Sequence, residues 1–437
     1  MMQGSRRRWV GVFFRKGRGS PLSWRGLSFG CLALVFVAEA SASNQWFENS
    51  TYSPHLDLIQ RATRSLDLEV YTISDLRVWR ALNQAVDRGV RVRMVKDGAP
   101  VGSESCKILT PPNSKDTPDC REIKSIVAKI RRRGGVVAFN KANLCGKSPE
   151  ANCFEHGKML VVDREVALVS SGNFDPTSLC GLPEDSDDER GILDFQAALL
   201  GQRCNRDYSV KVDDPTGVSA LARVFERDYA GEPFALSEEV GAAASFLTVS
   251  PEARTPLLSA LSEATEEVWI QNQYLKDPEM NSVLTDLARR RVRVNIGVAS
   301  FCAFGRPSAS DRAKAQDTFG AFERLGIKTR IFSQQIRVGG KPGYLHGKAL
   351  VIDGKKAWIG SINGSRTAFD FNREFGVFLE GEEQAQALKR QLQADSVDSG
   401  SESWQESLDC LKDRTDSYIG GDFLELGVDL SQRLLDQ

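Results

Sequence analysis

The stretch His156-Gly157-Lys158-Met159-Leu160-Val161-Val162-Asp163 returns almost unchanged as His346-Gly347-Lys348-Ala349-Leu350-Val351-Ile352-Asp353. Both read H-x-K-x4-D. Six residues beyond each aspartate stands a matching tetrapeptide, Ser170-Ser171-Gly172-Asn173 in the first copy and Gly360-Ser361-Ile362-Asn363 in the second. The chain has 3 histidines, and two of them open this pattern. An internal duplication is the simplest account.

The flanking sequence repeats in the same order. In the first half a helical pattern from His55 to Arg64 precedes an alternating strand, Leu66 to Tyr71, a helix from Val78 to Arg88 and a strand from Val90 to Val95. The second half follows with a helix from Leu257 to Ala264, a strand from Val268 to Tyr274, a helix from Asn281 to Arg290 and a strand from Val292 to Val298. In each half a further helix and strand, ending near Phe139 and Phe332, lead to the motif. Strands alternating with helices predict an α/β layer structure in each half. The join falls between Gly231 and Ser245, which gives one domain over 43–235 and another over 245–437 with a C-terminal tail. The first half carries an insertion between Asp175 and Asn205, with the acidic run Glu184-Asp-Ser-Asp-Asp-Glu189, read as a solvated loop rather than a cation site.

Each motif reads as a β-hairpin turning at Arg164-Glu165 or at Asp353-Gly354. Residues two apart on a strand share a face, so His156 projects with Lys158 and His346 with Lys348. A two-residue loop would pair Asp163 with Val166, setting Lys158 opposite Ser171 and His156 opposite Asn173. The second copy would set Lys348 opposite Ser361 and His346 opposite Asn363. One face then gathers an imidazole, an ammonium, a hydroxyl and an amide, a set suited to holding and attacking a tetrahedral anion. Two such faces would supply one histidine to attack phosphorus and one to protonate the leaving oxygen. Paired lysines would offset the charge on the non-bridging oxygens. Downstream, Asn205-Arg-Asp207 and Asn372-Arg-Glu374 recur in order, and a carboxylate there would bind the far nitrogen of an imidazole. Asp163 and Asp353 end strands at a turn and read as structural. His55, in a helix, reads as a surface residue.

Residues 1–42 have another character. Seven Lys and Arg precede the apolar run Cys31 to Ala38 and the small residues Ala40-Ser41-Ala42, the layout of a signal peptide for secretion or periplasmic export. Without its seven basic residues and one acidic residue, the chain keeps 50 Lys and Arg against 57 Asp and Glu. A mildly acidic balance argues against a strong non-specific grip on nucleic acid. Eight cysteines remain, an even number that suggests disulfides in an exported chain. Proximity favours Cys106–Cys120, Cys145–Cys153 and Cys180–Cys204, leaving Cys302 for Cys410, although other pairings stay open.

At the doubled H-x-K-x4-D motif with its [GS]-S-x-N tail the chain resembles the phospholipase D superfamily, over roughly Asn44 to Glu380. That resemblance implies two α/β/α phospholipase D-like domains with mixed sheets, related by a pseudo-twofold axis, with one active site at their interface. It also implies a phosphohistidine intermediate and no metal or other cofactor. By the same resemblance His156 is the nucleophile and His346 the general acid, then base. Lys158 and Lys348 bind phosphate with Ser171, Asn173, Ser361 and Asn363, and Glu374 orients its histidine. Two positions depart from the family pattern: Ser170 stands where glycine is usual, and Asp207 where glutamate is usual, which leaves the partner of His156 open.

The superfamily resemblance implies phosphodiester chemistry but not the substrate. The reading favoured here is a phospholipase D-type phosphodiesterase that hydrolyses or transphosphatidylates a phospholipid head group at a membrane surface, with no obligate protein partner. The alternatives are a metal-independent endonuclease, with Arg131-Arg132-Arg133 and Arg289-Arg290-Arg291 as groove candidates, and a cardiolipin synthase-like phosphatidyl transferase. A non-catalytic scaffold ranks last, since both histidines and both lysines are present.

Overall fold

The computed structural model describes residues 44–100, 106–141, 153–182, 203–232, 245–303, 305–379 and 381–412, which fall in one compact unit. The leader, the acidic run 184–189, Cys145 and most of the join between the halves lie outside the described residues.

The first half contributes β1 (Gln45–Glu48), β2 (Ser65–Val70), β3 (Arg91–Lys96), β4 (Gly135–Ala138), β5 (Lys158–Val162), β6 (Val166–Ser170), β7 (Cys204–Arg206) and β8 (Tyr208–Val212). The second contributes β9 (Leu247–Ser250), β10 (Glu267–Asn272), β11 (Arg293–Ala299), β12 (Lys328–Phe332), β13 (Arg337–Val338), β14 (Lys341–Leu345), β15 (Ala349–Ile352), β16 (Lys356–Gly360), β17 (Glu374–Leu379) and β18 (Ser401–Glu402). One sheet runs β1-β8-β6-β5-β2-β3-β4 and the other β18-β12-β11-β10-β15-β16-β17-β9. Both are mixed. In each, three strands run parallel (β2-β3-β4; β10-β11-β12), and the motif hairpin joins them antiparallel (β5-β6; β15-β16). Seven strands of one sheet thus answer seven of the other, the arrangement expected of a duplicated α/β chain.

Strand alternation divides the layers. Leu66, Leu68 and Val70 of β2 pack outward beneath the helices His55–Arg61, Leu76–Asp87 and Pro118–Arg133. Val268 and Ile270 of β10 do the same beneath Arg254–Ser262, Pro278–Arg289 and Ala309–Arg324. The inward faces share one core, where Val161, Val169 and Val210 meet Val351, Ile359 and Phe375, with the helices Pro215–Ala230 and Glu382–Ser396 among them. At roughly 1.5–3 kcal/mol for each fully buried large aliphatic or aromatic side chain, this shared core couples the two halves into one folding unit. A small third sheet crosses between them, since β7 pairs in parallel with β14.

The hairpin register differs from the two-residue expectation. Val162 pairs with Val166 and Ile352 with Lys356, so each loop has three residues. Asp163 and Arg164 take φ of 53° and 59°, and Asp353 and Gly354 take 52° and 64°. The cause lies in the motif aspartates. The Asp163 carboxylate accepts the backbone N–H groups of Thr63, Arg64 and Ser65 at 2.7–2.8 Å. Asp353 accepts those of Thr265, Glu266 and Glu267 at 2.8–3.0 Å. Each aspartate is thereby drawn out of its hairpin to tie the turn to the start of the neighbouring strand. Asp163→Ala strands three donors, and we expect it to lower unfolding free energy by about 2–3 kcal/mol, measured by urea denaturation. A loss below about 0.5 kcal/mol would contradict the tie.

His55 is fully buried, contrary to a surface reading. Its Nδ1 lies 2.6 Å from Ser53 Oγ, and its ring meets Phe174 edge-on with centroids 4.6 Å apart. Burial pushes its pKa down to about 3, so it stays neutral. Disulfides join Cys106 to Cys120 and Cys180 to Cys204, as proximity favoured, and Cys302 to Cys410, the pair that those assignments left over.

Candidate active site

His156 and Lys158 sit at the start of β5, and His346 and Lys348 at the start of β15, where the two halves meet. Both lysines are wholly buried, and the imidazoles keep 12% and 10% of their side-chain surface. Each lysine Nζ donates to the carbonyl of its own histidine at 2.5 Å. Lys348 also reaches across to Ser171 O at 3.4 Å, and both lysines depress the pKa of His156. The four groups therefore form one constellation.

The carboxylate partners are exchanged between halves. His156 Nδ1 donates to Glu374 Oε2 at 2.9 Å, and His346 Nδ1 donates to Asp207 at 3.0 Å to Oδ1 and 3.3 Å to Oδ2. Glu374 therefore serves the histidine of the first half rather than its own, and Asp207 serves His346. Backbone bonds carry the exchange: His156 N–H donates to Arg373 O at 2.9 Å, and His346 N–H to Arg206 O at 3.2 Å. With Nδ1–H engaged, the open nitrogen of each ring is Nε2.

The three-residue loops bring Lys348 level with Gly360, whose N–H donates to Lys348 O, and Lys158 level with Ser170. Ser171 and Ser361, expected opposite the lysines, lie past the strand ends and brace the carboxylates. Ser171 Oγ donates to Asp207 Oδ1 at 2.8 Å and accepts Tyr208 N–H at 2.9 Å. Ser361 Oγ accepts Phe375 N–H at 3.0 Å beside Glu374. Asn173 and Asn363 each keep a buried side-chain oxygen with no hydrogen-bond partner.

The glycine inside each motif is the seat of the opposite half. A Cβ on Gly157 would stand 2.5 Å from the Phe375 ring, and one on Gly347 2.7 Å from the Tyr208 ring. Phe375 and Tyr208 directly follow the exchanged carboxylates, so these glycines let Glu374 and Asp207 approach. Ser170 has a local reason too. A Cβ on Gly360 would stand 2.6 Å from the Trp358 ring, whereas Leu168 pairs at that level in the first half and leaves room for Ser170 Oγ to bond Ser209 at 3.1 Å.

Tyr71 is a site residue that motif reading missed. Its ring lies edge-on to His156 at 4.7 Å and beneath Lys158 Nζ at 5.2 Å. Only its place at the end of β2 could have pointed to it. The arginine runs stay apart from the site: Arg131 to Arg133 form the exposed last turn of a helix, and Arg289 to Arg291 another exposed helix end.

Electrostatics separates the two histidines. Burial, then the charges of Lys158, Lys348 and His346, holds His156 well below the ordinary imidazole value. His346 is lowered by burial and by Lys348, while Asp207 acts in the opposite sense. Burial would raise Asp207, but His346, Lys348 and Ser171 together hold it below the usual carboxylate value. Glu374 is pushed up to about 7 by burial. Burial lowers Lys158 to about 8 and Lys348 to about 7. Two imidazoles with clamped Nδ1–H and two ammonium groups can hold a phosphate and relay one proton.

The family described as cardiolipin synthase, PLD-like domain matches residues 55–229 and 257–396, one motif in each segment. Cardiolipin synthase A of Pseudomonas entomophila (strain L48) is 30% identical over 139 residues, 32% of this chain and 26% of that protein. The cardiolipin synthase of Halalkalibacterium halodurans is 22% identical over 356 residues, covering 75% of this chain and 60% of its own length. The matches thus span between about a quarter and three fifths of these relatives. Among solved structures, the phosphatidylserine synthase of Haemophilus influenzae Rd KW20 shares the fold with a TM-score of 0.54 at 12% identity, covering 90% of this chain and 94% of that one.

Proposed function

The chain belongs to the cardiolipin synthase, phospholipase D-like domain family, and from that premise we propose that it is a phosphatidyl transferase working through a covalent phosphohistidine. The observation that carries this reading is the exchanged pairing, which clamps Nδ1 of both histidines and leaves both Nε2 atoms for one phosphodiester. In the first step the Nε2 lone pair of His156 attacks phosphorus, the bond to the leaving alcohol breaks, and His346 Nε2–H gives that oxygen its proton. In the second step an acceptor alcohol passes its proton to His346 as its oxygen attacks phosphorus and the P–N bond breaks. Water in place of the alcohol gives hydrolysis, the outcome favoured from sequence; the cardiolipin synthase relatives support transfer better.

The division of roles has electrostatic support. An attacking imidazole must be neutral, and His156 is held well below the ordinary value. A proton donor is best sustained by a firmly ionised carboxylate, and Asp207 is such a group, whereas Glu374 is pushed up to about 7. Lys158 and Lys348 would meet the non-bridging oxygens. Asn173 and Asn363 would offer their unpartnered amide oxygens to the acceptor hydroxyl. Because burial lowers Lys348 to about 7 and Lys158 to about 8 and each binds the anion only when charged, kcat/KM should fall by about tenfold per unit between those values and by about a hundredfold per unit above the higher one. Rates on a soluble phosphodiester between pH 6 and 9 check this; a flat profile would contradict it.

The deciding test incubates the oxidised protein with phosphatidylglycerol vesicles in excess chelator, beside His156→Ala. Cardiolipin and free glycerol from the native protein alone support transfer. Phosphatidic acid without cardiolipin returns the function to hydrolysis, and no product from either protein overturns a lipid substrate. We further propose export to an oxidising compartment, on the signal-like leader and the disulfides. Among the described residues no helix is long and apolar enough to cross a membrane.

A further inference from the structure

β2 turns two carboxylates, Asp67 and Glu69, toward the layer between the sheets, and only one is matched there. Asp67 accepts two hydrogen bonds from Arg93, at 2.7 and 2.8 Å. Glu69 is wholly buried, as is Glu155, and none of their four carboxylate oxygens has a hydrogen-bond partner. The cation facing them is Arg373, also wholly buried, with Nε 3.9 Å from Glu69 Oε1. Its guanidinium already donates to Asp228 at 2.7 and 3.0 Å and to Ser250 O at 2.6 Å. Three carboxylates thus share one guanidinium. Among the described residues no set of His, Cys, Asp or Glu side chains is arranged to hold a metal ion.

The duplicated half shows what belongs at this position. The pairings Leu66 with Val162 and Val268 with Ile352 make Glu69 the counterpart of Gln271. Gln271 Nε2 donates to Asp395 Oδ2 at 2.8 Å, and Asp395 takes Arg206 at 2.8 Å just as Asp228 takes Arg373. Asp228 and Glu155 are the carboxylates that act on Glu69. A carboxylate offers Asp228 no donor, but a carboxylic acid offers the one that the glutamine amide supplies across the axis.

We infer that Glu69 is an uncharged, proton-bearing acid in the folded protein, donating to Asp228 as Gln271 donates to Asp395, and that this proton secures the Arg373 crossing. Arg373 N–H donates to Phe154 O, its carbonyl accepts His156 N–H, both at 2.9 Å, and the next residue clamps His156 Nδ1. Glu69 is therefore a positioning residue for His156.

The groups facing Glu69 are Asp228 from the helix Pro215–Ala230, Glu155 ahead of β5 and Arg373 ahead of β17. Asp97, paired with Lys141 at 3.2 Å, lies beyond Glu155. Burial, then Asp228 and Glu155, raises the Glu69 pKa well above the carboxylate range. The unfolded chain gives up this proton near the ordinary glutamate value, about 4.3, while the folded chain keeps it. Its contribution to stability is therefore full below that value and is lost as pH rises toward the folded pKa.

Glu69→Gln removes this dependence. Measured by urea unfolding at pH 5, 6, 7 and 8, its folding equilibrium constant should gain on that of the native protein by about tenfold per pH unit. Titrating groups that do not face Glu69 are common to both proteins and cancel, and Glu155→Gln, measured in the same way, separates the part that belongs to Glu155. Stability curves that stay parallel would mean an ionised Glu69 and overturn the inference. If Glu69→Gln fails to fold, the native protein is examined by infrared spectroscopy at pH 8. A carboxylic-acid C=O band there supports the inference, and its absence overturns it.

Discussion

His156→Ala should abolish turnover, by about ten-thousand-fold or more, because in the proposed mechanism His156 forms the covalent intermediate. His346→Ala loses a comparable factor on natural substrates, but for a different reason, and leaving-group chemistry separates the two. An ester of an acidic phenol needs no proton as it departs. On such a substrate His346→Ala should recover a large part of its first step, seen as a burst of phenol, while His156→Ala shows none. The expectation rests on the exchanged pairs: Asp207, held below the usual carboxylate value, works against the lowering of His346 by burial and Lys348, while burial and two lysines hold His156 well below the ordinary value. A burst from His156→Ala and none from His346→Ala would reverse the roles.

Reduction of the disulfides should lower the unfolding temperature by about 10–20 °C. The bonds close separations of 14, 24 and 108 residues. On loop-closure grounds each contributes roughly 3–5 kcal/mol, together about 10 kcal/mol, comparable with the whole stability of a typical domain. The shift follows from about 1–2 °C per kcal/mol in a chain of this size. Cys204 lies in β7, which pairs with Gly343 to Leu345 just ahead of His346, and three residues before Asp207. Opening Cys180–Cys204 alone, by Cys180→Ala with Cys204→Ala, should therefore depress turnover beyond its share of lost stability. Equal melting of reduced and oxidised protein would contradict the structural role of the bonds.

The duplication made the α/β halves and the histidine–lysine pairs legible in the sequence. Five strands of each half, two of them the motif hairpin, repeat in order in the sequence, and a period of two fixes which side chains share a face; the outer pairs β8 and β1, β17 and β9, carried no such signal. The hairpin register was not legible. It depends on Asp163 and Asp353 being pulled toward backbone amides about a hundred residues earlier in the chain, a contact that no local turn preference encodes. The exchange of Glu374 and Asp207 was hidden for the same reason, since N-R-[ED] lies close in sequence to its own motif but crosses to the other half in space. Tyr71 carried no motif, and His55 gave no sign of its burial because a short amphipathic helix does not reveal which loop covers its first turn. The small differences between the halves, Ser170 for Gly360 and Glu69 for Gln271, became readable only when each position was set against its counterpart.

The central claim is one site, built by both halves, in which His156 carries the phosphatidyl group. Rapid acid-free quenching during turnover on phosphatidylglycerol in excess chelator, followed by peptide mass spectrometry, tests it most directly. The account predicts a phosphatidyl adduct on the peptide containing His156 in the native protein, retained by His346→Ala when the substrate is the ester of an acidic phenol and absent in His156→Ala on either substrate. An adduct on the His346 peptide, or on neither histidine while turnover proceeds, would contradict it.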